Sequence, residues 1–235
     1  MVDEVLWNIL LMIVCYIYIG LIIVVSSKLD GFLHVSRKVP RKFLHVMIGN
    51  LPFVIPFFTS NIYPTLVAAP FILVTFLASP YSPLKFASEK MKGLVGITEE
   101  GHHLGLVYYA FSYTVLALFF ASKPYVMSAG ILPMAYGDAF ASIIGEKYGK
   151  TKFRLLANKS IEGSITMFLF SFSSYALSLA FFSTLYPISF LDKILGAFIV
   201  AIIATVVEGI SPLGFDNLTV PLLSVLTLVL LGWDV

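Results

Sequence analysis

Ionisable side chains stand at a few positions inside or beside the long apolar runs of this 235-residue sequence. They are His45, Asp138, Glu162, Glu208 and Asp216. Charged groups at membrane depth are costly, so they usually face a polar interior and serve a function, although a structural role is the alternative for any one of them. The acids cannot neutralise one another, so they require a cation, either Lys or Arg from a loop or a divalent metal. Carboxylate oxygens are the ligands that Mg²⁺ prefers, usually together with substrate phosphates.

The segment 137–164 places a carboxylate close in sequence to a series of small residues. Asp138, Ala141, Gly145 and Gly149 recur every three or four residues, so they fall on one face of a helix. A face without bulk lets a ligand or another backbone approach closely. The alternative is small-xxx-small packing of two helices in lipid. The charged residues between the two glycines argue against that alternative.

The loop after these glycines and the start of the next apolar run supply groups that bind anions. Free backbone N–H groups and the dipole at a helix start favour an anion, and Lys suits phosphate as a point charge. The candidates are Lys147, Lys150, Lys152, Arg154, Lys159, Ser160, Gly163 and Ser164. The sequence has no Gly-x-x-x-x-Gly-Lys-Ser/Thr loop, which excludes a P-loop protein. The pattern instead predicts a different kind of nucleotide or phosphate site.

The elements that must position these groups are membrane helices. The chain is 59% apolar and only 12% charged, so it cannot cover a water-facing surface. This excludes a soluble enzyme, a disordered chain and a secreted disulfide scaffold, and no basic patch with interleaved aromatics predicts nucleic-acid binding. Eight apolar runs approach the roughly 20 residues that a span needs: 5–25, 43–58, 62–78, 104–121, 126–144, 161–185, 190–207 and 218–232. We therefore predict an all-α, polytopic transmembrane bundle of about seven or eight spans.

The distribution of basic residues predicts the orientation of this bundle. Thirteen of the fifteen Lys and Arg residues lie in the segments 26–42, 79–103 and 145–160. The positive-inside rule then makes these loops cytoplasmic and places both termini outside. The acidic residues and the loops that form the predicted site fall on the cytoplasmic side. Pro52 and Pro56 predict a kink in the short second run.

The long motif in 138–163 resembles the CTP-binding signature of dolichol kinases. It reads Asp-x-x-Ala-x-x-x-Gly-x-x-x-Gly, and after eight intervening residues Asn158 precedes Lys-Ser-x-Glu-Gly. The Asn-Lys-Ser version is more similar to phytol kinases and CTP-dependent diacylglycerol kinases of the same family. The Arg-Lys-x-x-His element at 41–45 and Glu208 followed by Asp-Asn-x-x-x-Pro at 216–221 resemble two further family elements. A weaker match spans 100–105, and the resemblance covers about residues 37–225.

The resemblance implies a kinase that transfers the γ-phosphate of CTP, sometimes UTP, to a lipid alcohol in the bilayer. We favour an isoprenoid alcohol of the geranylgeraniol, phytol or dolichol type. A single kinase domain would occupy residues 1–235, with a family core at 36–225 and an additional N-terminal span and linker at 1–35. A homodimer is compatible with the sequence.

Within this hypothesis each candidate residue has a role. Asp138 is a Mg²⁺ ligand or the base for the attacking hydroxyl, and the sequence leaves both open. Lys159 and Ser160 hold the donor phosphates, with Lys147 and Lys150 as looser contacts. Asp216 and Glu208 complete the metal site. The remaining candidates orient or bind substrates: Arg41, Lys42, His45, Gly145, Gly149, Glu162, Gly163, Ser164 and Asn217.

Three other functions compete with this hypothesis. A CTP-dependent diacylglycerol kinase differs only in its acceptor. A membrane cytidylyltransferase carries a C-terminal signature with His and Arg, and residues 211–217 contain neither. A transporter would predict inverted repeats and charges near the midplane from both sides, which the one-sided cluster disfavours.

Overall fold

The computed structural model describes residues 3–33, 38–84, 103–154, 156, 158–212 and 214–233, and about 78% of it is helical. Helices satisfy every backbone hydrogen bond internally, as a segment in lipid requires. Among the described residues, four helices are long and apolar enough to cross a membrane: Glu4–Leu29, Pro124–Tyr148, Ile161–Phe182 and Phe190–Ile210. Shorter apolar helical segments are Ile62–Ala78, Gly105–Phe120 and Asp216–Leu230. The prediction of an all-α membrane bundle is confirmed.

The chain divides into two compact units, unit 1 at Met1–Ser122 and unit 2 at Lys123–Val235, and each is described by itself. Unit 1 contains five described α-helices. They are α1 (Glu4–Leu33), α2 (Lys38–Ile48), α3 (Ile62–Ala68), α4 (Pro70–Ala78) and α5 (Gly105–Phe120). Helix α1 packs on α2 and α3, while α5 packs on α3 and α4. Many large apolar side chains of α1 are exposed, as expected for a helix that faces lipid.

The second predicted apolar run, 43–58, is not one continuous helix. Helix α2 ends at Ile48, and two 3₁₀ turns follow at Leu51–Phe53 and Ile55–Phe57. Each turn has a proline in its first positions, where the missing N–H is tolerated. The same prolines would interrupt a longer helix, so the predicted kink is a full break.

Unit 2 is built around one long, interrupted helix. It consists of α6 (Pro124–Leu132), a π-helical segment (Pro133–Gly137) and α7 (Asp138–Tyr148). This helix is the most buried of the four long helices, since 72% of its most apolar 18-residue stretch is buried. Three further helices complete the unit: α8 (Ile161–Phe182), α9 (Phe190–Ile210) and α10 (Asp216–Leu230). Helix α8 packs on α7, α9 on α8, and α10 on both α9 and α6.

A small antiparallel hairpin, β1 (Lys152–Arg154) and β2 (Asn158–Ser160), joins α7 to α8. Its register pairs Lys152 with Ser160 and Phe153 with Lys159. The Ile161 N–H donates to the Thr151 carbonyl oxygen at 3.0 Å, which fixes the hairpin against the start of α8. The sequence predicted only a loop here, because strands of three residues are too short to show a two-residue alternation.

Candidate active site

Four charged residues of unit 2 come from four separate elements. Asp138 is the first residue of α7, Lys159 lies in β2, Glu208 is in the last turn of α9, and Asp216 is the first residue of α10. The three carboxylates are buried, with Asp216 the most exposed at 8%. We call these four residues the acid–lysine cluster. The Lys159 ammonium forms an ion pair with the Glu208 carboxylate.

Lys159 is the cation of this cluster. Burial alone would lower the pKa of the Lys159 ammonium, but the charge of Glu208, followed by those of Asp138 and Asp216, raises it above its ordinary value. Lys159 is therefore protonated at neutral pH. The neutralising cation that the sequence required is thus supplied, at least in part, by a lysine.

The π-helical segment before Asp138 brings that residue against α8. An added Cβ at Gly137 would overlap the Ser171 hydroxyl and lie 2.6 Å from the Met167 sulfur, so a larger residue there requires one of these side chains or the helix to shift. Pro133 begins the segment and has no N–H to continue the regular α-helical pattern. Such π-bulges occur frequently at functional sites. Sequence reasoning did not identify Gly137 as a positioning residue, although Gly137 directly precedes Asp138.

The small residues of α7 pack against the start of α8. A Cβ added to Gly145 would lie 3.0 Å from the Ser160 Oγ and 3.3 Å from the Gly163 Cα. A Cβ added to Gly163 would lie 3.2 Å from the carbonyl oxygen of Ala141, and one added to Gly149 would also overlap Ser160. These small residues therefore pack the two helices together. Such packing is the alternative that the sequence disfavours. The charged residues between the glycines are exposed, so they do not prevent this packing.

The start of α8 is held by Ser160 and Glu162, two residues that the sequence places in the nucleotide site. The Ser160 Oγ caps the helix by accepting from the Gly163 N–H at 3.1 Å. The Glu162 carboxylate accepts from the Thr151 N–H at 3.2 Å, which ties the helix to the hairpin. Ser164 follows in the same turn and is half-buried. These contacts hold Lys159 in place between the hairpin and α8.

The start of α10 is a tight turn that positions Asp216. Gly214 has a φ of +83°, in the left-handed region that favours glycine. The Asp216 carboxylate accepts from the Asn217 backbone N–H at 2.9 Å, and the Asn217 side-chain amide donates to the Gly214 carbonyl oxygen at 3.3 Å. Asn217 thus supports the turn that presents the acid.

The other predicted phosphate contacts lie outside the buried cluster. Lys147, Lys150, Lys152 and Arg154 are exposed on the last turn of α7, the hairpin and the residues between them. The Lys147 ammonium lies 5.2 Å from the centroid of the Tyr148 ring. These side chains form a basic rim on unit 2, and they are more exposed than the half-buried Lys159.

Three predicted residues belong to unit 1. Arg41, Lys42 and His45 lie on α2, and none is more than 6% exposed. The His45 ring lies 4.5 Å from the Tyr109 ring, and the Tyr109 hydroxyl donates to the His45 carbonyl oxygen at 3.1 Å. Residues 100–102 of the weaker family match, including His102, lie outside the described residues.

The buried carboxylates are the candidate ligands for Mg²⁺. Over the part of the chain that the structure describes, no three His, Cys, Asp or Glu side chains converge to hold a metal ion by themselves. Glu208 is engaged by Lys159 instead. Mg²⁺ in proteins is usually held by one or two carboxylates together with substrate phosphates, and Asp138 and Asp216 supply two carboxylates close enough to act on Lys159.

The chain is similar over most of its length to phytol kinases. It is 28% identical over 213 residues to the phytol kinase of Synechocystis sp., covering 89% of this chain and 86% of that protein. It is 30% identical over 210 residues to a probable chloroplastic phytol kinase of Zea mays, covering 84% and 68%. A probable chloroplastic phytol kinase 1 of Oryza sativa is 32% identical over 206 residues, covering 84% and 65%.

No family model matches the chain, and no solved structure matches it. The resemblance inferred from the motifs at 41–45, 138–163 and 208–221 is nonetheless confirmed by the relatives, whose matched regions cover most of the chain. The chain belongs to the phytol kinase family.

Proposed function

We propose that this protein transfers the γ-phosphate of CTP or UTP to the hydroxyl of a lipid alcohol dissolved in the membrane. The observation that supports this most is the acid–lysine cluster, three buried carboxylates around Lys159, in a member of the phytol kinase family. We favour an isoprenoid acceptor because the family members matched are named as kinases of phytol.

Phosphoryl transfer depends mainly on positioning and on neutralising charge, and the cluster suits both needs. Lys159 binds the donor phosphates through its ammonium group. Glu208 orients Lys159 through their ion pair before the nucleotide arrives. The buried setting strengthens these electrostatic interactions relative to water.

Asp138 acts at the acceptor hydroxyl or at the metal. As a base, it takes the hydroxyl proton while the alcohol oxygen bonds to the γ-phosphorus and the bond from that phosphorus to the β-phosphate oxygen breaks. As a metal ligand, it would hold Mg²⁺ with Asp216 and the donor phosphates. Magnesium, when bound, supplies neutralisation of the phosphate charge. Asn217 orients Asp216 through the turn that both residues form.

The remaining candidates divide into positioning and binding roles. Gly145, Gly149, Gly163, Ser160 and Glu162 hold α7, the hairpin and α8 together, and thereby position Lys159. The basic rim, with Lys147 and Lys150, attracts the nucleotide. Ser164 supplies a hydroxyl near the start of α8.

Arg41, Lys42 and His45 of unit 1 bind phosphate or position the acceptor hydroxyl in this proposal. Their burial on α2 supports a specific role over that of simple topology anchors, which are normally exposed to headgroups and water. Charge-preserving variants such as Arg41→Lys test this role. A loss of acceptor affinity in a folded variant supports it, and normal kinetics contradict it.

The cytoplasmic face is the proposed location of the reaction. Thirteen of fifteen basic residues lie in the three long connecting segments, one of which contains Lys159. Nucleotide supplied to the outside or the inside of sealed vesicles of known orientation tests this placement. Transfer only from the side that carries the hairpin is the expected result.

A panel assay tests the function as a whole. Purified protein with Mg²⁺ receives CTP, UTP or ATP, and each nucleotide is combined with geranylgeraniol, phytol, dolichol or diacylglycerol. We expect a phosphorylated isoprenoid from CTP or UTP, identified by mass spectrometry. Phosphatidic acid as the dominant product would favour the diacylglycerol kinase. A nucleotide-linked lipid would indicate a cytidylyltransferase, and lipid flux without any phosphorylated product would indicate a transporter.

A further inference from the structure

An apolar groove lies within unit 1. Residues from α1 to α5 line it, and none of them is charged. The groove measures about 590 Å³, a volume that includes its open side. Representative lining residues are Ile19, Leu44, Ile48, Phe71, Ala110 and Tyr113. A groove with one open side suits an extended chain that lies along it better than a compact, enclosed ligand.

Helix α2 connects this groove to buried basic side chains. Leu44 and Ile48 line the groove, whereas Arg41, Lys42 and His45 on the same helix are buried polar residues. Arg41 and Ile48 are seven residues apart, which corresponds to roughly 10 Å along a helix. Tyr109 lines the groove, and its ring lies 4.5 Å from the His45 ring, so the apolar lining is next to a buried polar side chain. This combination matches a molecule with a long apolar chain and one polar terminus.

Tyr113 provides a second, independent observation on the groove wall. Its phenolic oxygen is buried and has no hydrogen-bond partner among the residues that the structure describes. Tyr109, one turn earlier on α5, also lines the groove but donates to the His45 carbonyl oxygen. A phenylalanine at position 113 would fill the same space without a buried unsatisfied hydroxyl. A wall shaped only for packing would not require this hydroxyl.

We propose that the groove of unit 1 binds the chain of the lipid-alcohol acceptor, with the hydroxyl end of that acceptor toward Arg41 and His45. The identity of the occupant rests on the proposed function. Along α5, Leu106 and Tyr113 mark a lining of roughly 10 Å, which is shorter than a long prenyl chain. Affinity therefore rises with chain length only until the groove is filled, and it is constant for longer acceptors.

Photo-crosslinking of the full-length protein tests the groove without any phosphoryl transfer. The probe is a geranylgeraniol analogue with a diazirine within the first isoprene units, used in nanodiscs with no nucleotide. We expect labelled peptides from α2 and α5, and unlabelled geranylgeraniol should compete this labelling away. Labelling spread over the exposed face of α1, without competition, would mean that the groove holds only bulk lipid and would overturn the proposal.

Substitutions that change the groove add a kinetic test. Ala110→Leu narrows it and should raise the acceptor KM about tenfold or more while the nucleotide KM is unchanged. Ile48→Ala widens the groove and is the second variant in case Ala110→Leu does not fold. We expect it to discriminate less between branched and straight-chain alcohols. Ala180→Leu, at an exposed position of α8, is the matched control with normal kinetics. Unchanged acceptor kinetics in both groove variants would refute the groove while leaving the kinase function intact.

The two proposals fail in different ways. If no phosphorylated lipid forms with any donor, but competed crosslinks still map to α2 and α5, the groove stands and the proposed function falls. If transfer occurs but the crosslinks lie elsewhere, the function stands and the groove falls.

Discussion

Lys159 in the short strand β2 forms an ion pair with Glu208 in the last turn of α9, across a separation of 49 residues in sequence. Two further acids, Asp138 and Asp216, act electrostatically on the same ammonium group. The pair therefore links the hairpin to α9 and places one cation among buried carboxylates. This relationship connects the fold of unit 2 to its proposed chemistry.

Removing the charge of Lys159 should abolish most activity. Lys159→Met retains much of the side-chain length but leaves the buried acids without their cation, and we expect kcat to fall by about 100-fold or more. Loss of one partner of a buried pair also destabilises a protein by roughly 3–5 kcal/mol. Turnover and thermal unfolding of the purified protein measure the two effects. Near-normal turnover in this variant would remove Lys159 from the mechanism.

The effects of substitutions at Glu208 and Lys159 on the unfolding free energy should be strongly coupled. Glu208→Gln, Lys159→Met and the double variant form a double-mutant cycle, and contacting charged residues typically couple by about 0.5–3 kcal/mol. We expect the double variant to be more stable than the sum of the single effects predicts, since no uncompensated charge at this pair is left. Additive losses in unfolding free energy would show that the ion pair does not form in the membrane.

Asp138→Asn should remove nearly all turnover while the protein stays folded. Loss of a general base typically lowers the rate by about 10²- to 10⁴-fold, and the amide has the same shape as the carboxylate. The dependence of the residual rate on Mg²⁺ concentration separates the two roles. A higher Mg²⁺ requirement indicates a metal ligand, whereas an unchanged requirement with low kcat indicates the base. Activity near that of the wild type would exclude both.

Gly137→Ala should impair both stability and activity. The new methyl group would collide with Ser171 and Met167, and overpacking of this kind costs about 1–3 kcal/mol. The displacement of the π-helical segment would also move Asp138. Gly20→Ala in α1 is the matched control, because its Cβ meets nothing within 4 Å. If thermal unfolding and turnover respond equally to the two variants, the close approach at Gly137 has no special role.

The basic rim should influence nucleotide binding only modestly. Lys150→Gln removes an exposed charge, so the nucleotide KM should rise a few-fold with little change in kcat, and the difference should shrink at high salt. Lys28→Gln, at an exposed position of α1, is the control for the loss of one positive charge. A large fall in kcat for Lys150→Gln would place that lysine at the reacting phosphate instead.

Composition and spacing predicted the main elements of the fold but not its short-range details. Long apolar runs predict membrane helices because the bilayer sets their length. The break after Ile48 is more severe than the kink predicted from Pro52 and Pro56. The hairpin that carries Lys159 was not predicted, since three-residue strands give no clear periodic signal.

The candidate site was only partly predictable for a related reason. Helical periodicity relates Asp138 to Gly145 within one helix. It does not relate Lys159 to Glu208, whose pairing depends on how α8 packs on α9. The sequence disfavours a packing role for Gly145 because charged residues lie between Gly145 and Gly149. In the structure those charged residues are exposed, while Gly145 packs against Ser160 and Gly163.

The most direct test of γ-phosphate transfer uses CTP labelled at one phosphate at a time. Purified protein, Mg²⁺ and geranylgeraniol are incubated with CTP labelled at the γ-phosphate or at the α-phosphate, and Asp138→Asn serves as the inactive control. We expect label in the extracted lipid from the γ position alone, and far less of it with the control variant. Label from the α position would establish nucleotidyl transfer and contradict γ-phosphate transfer.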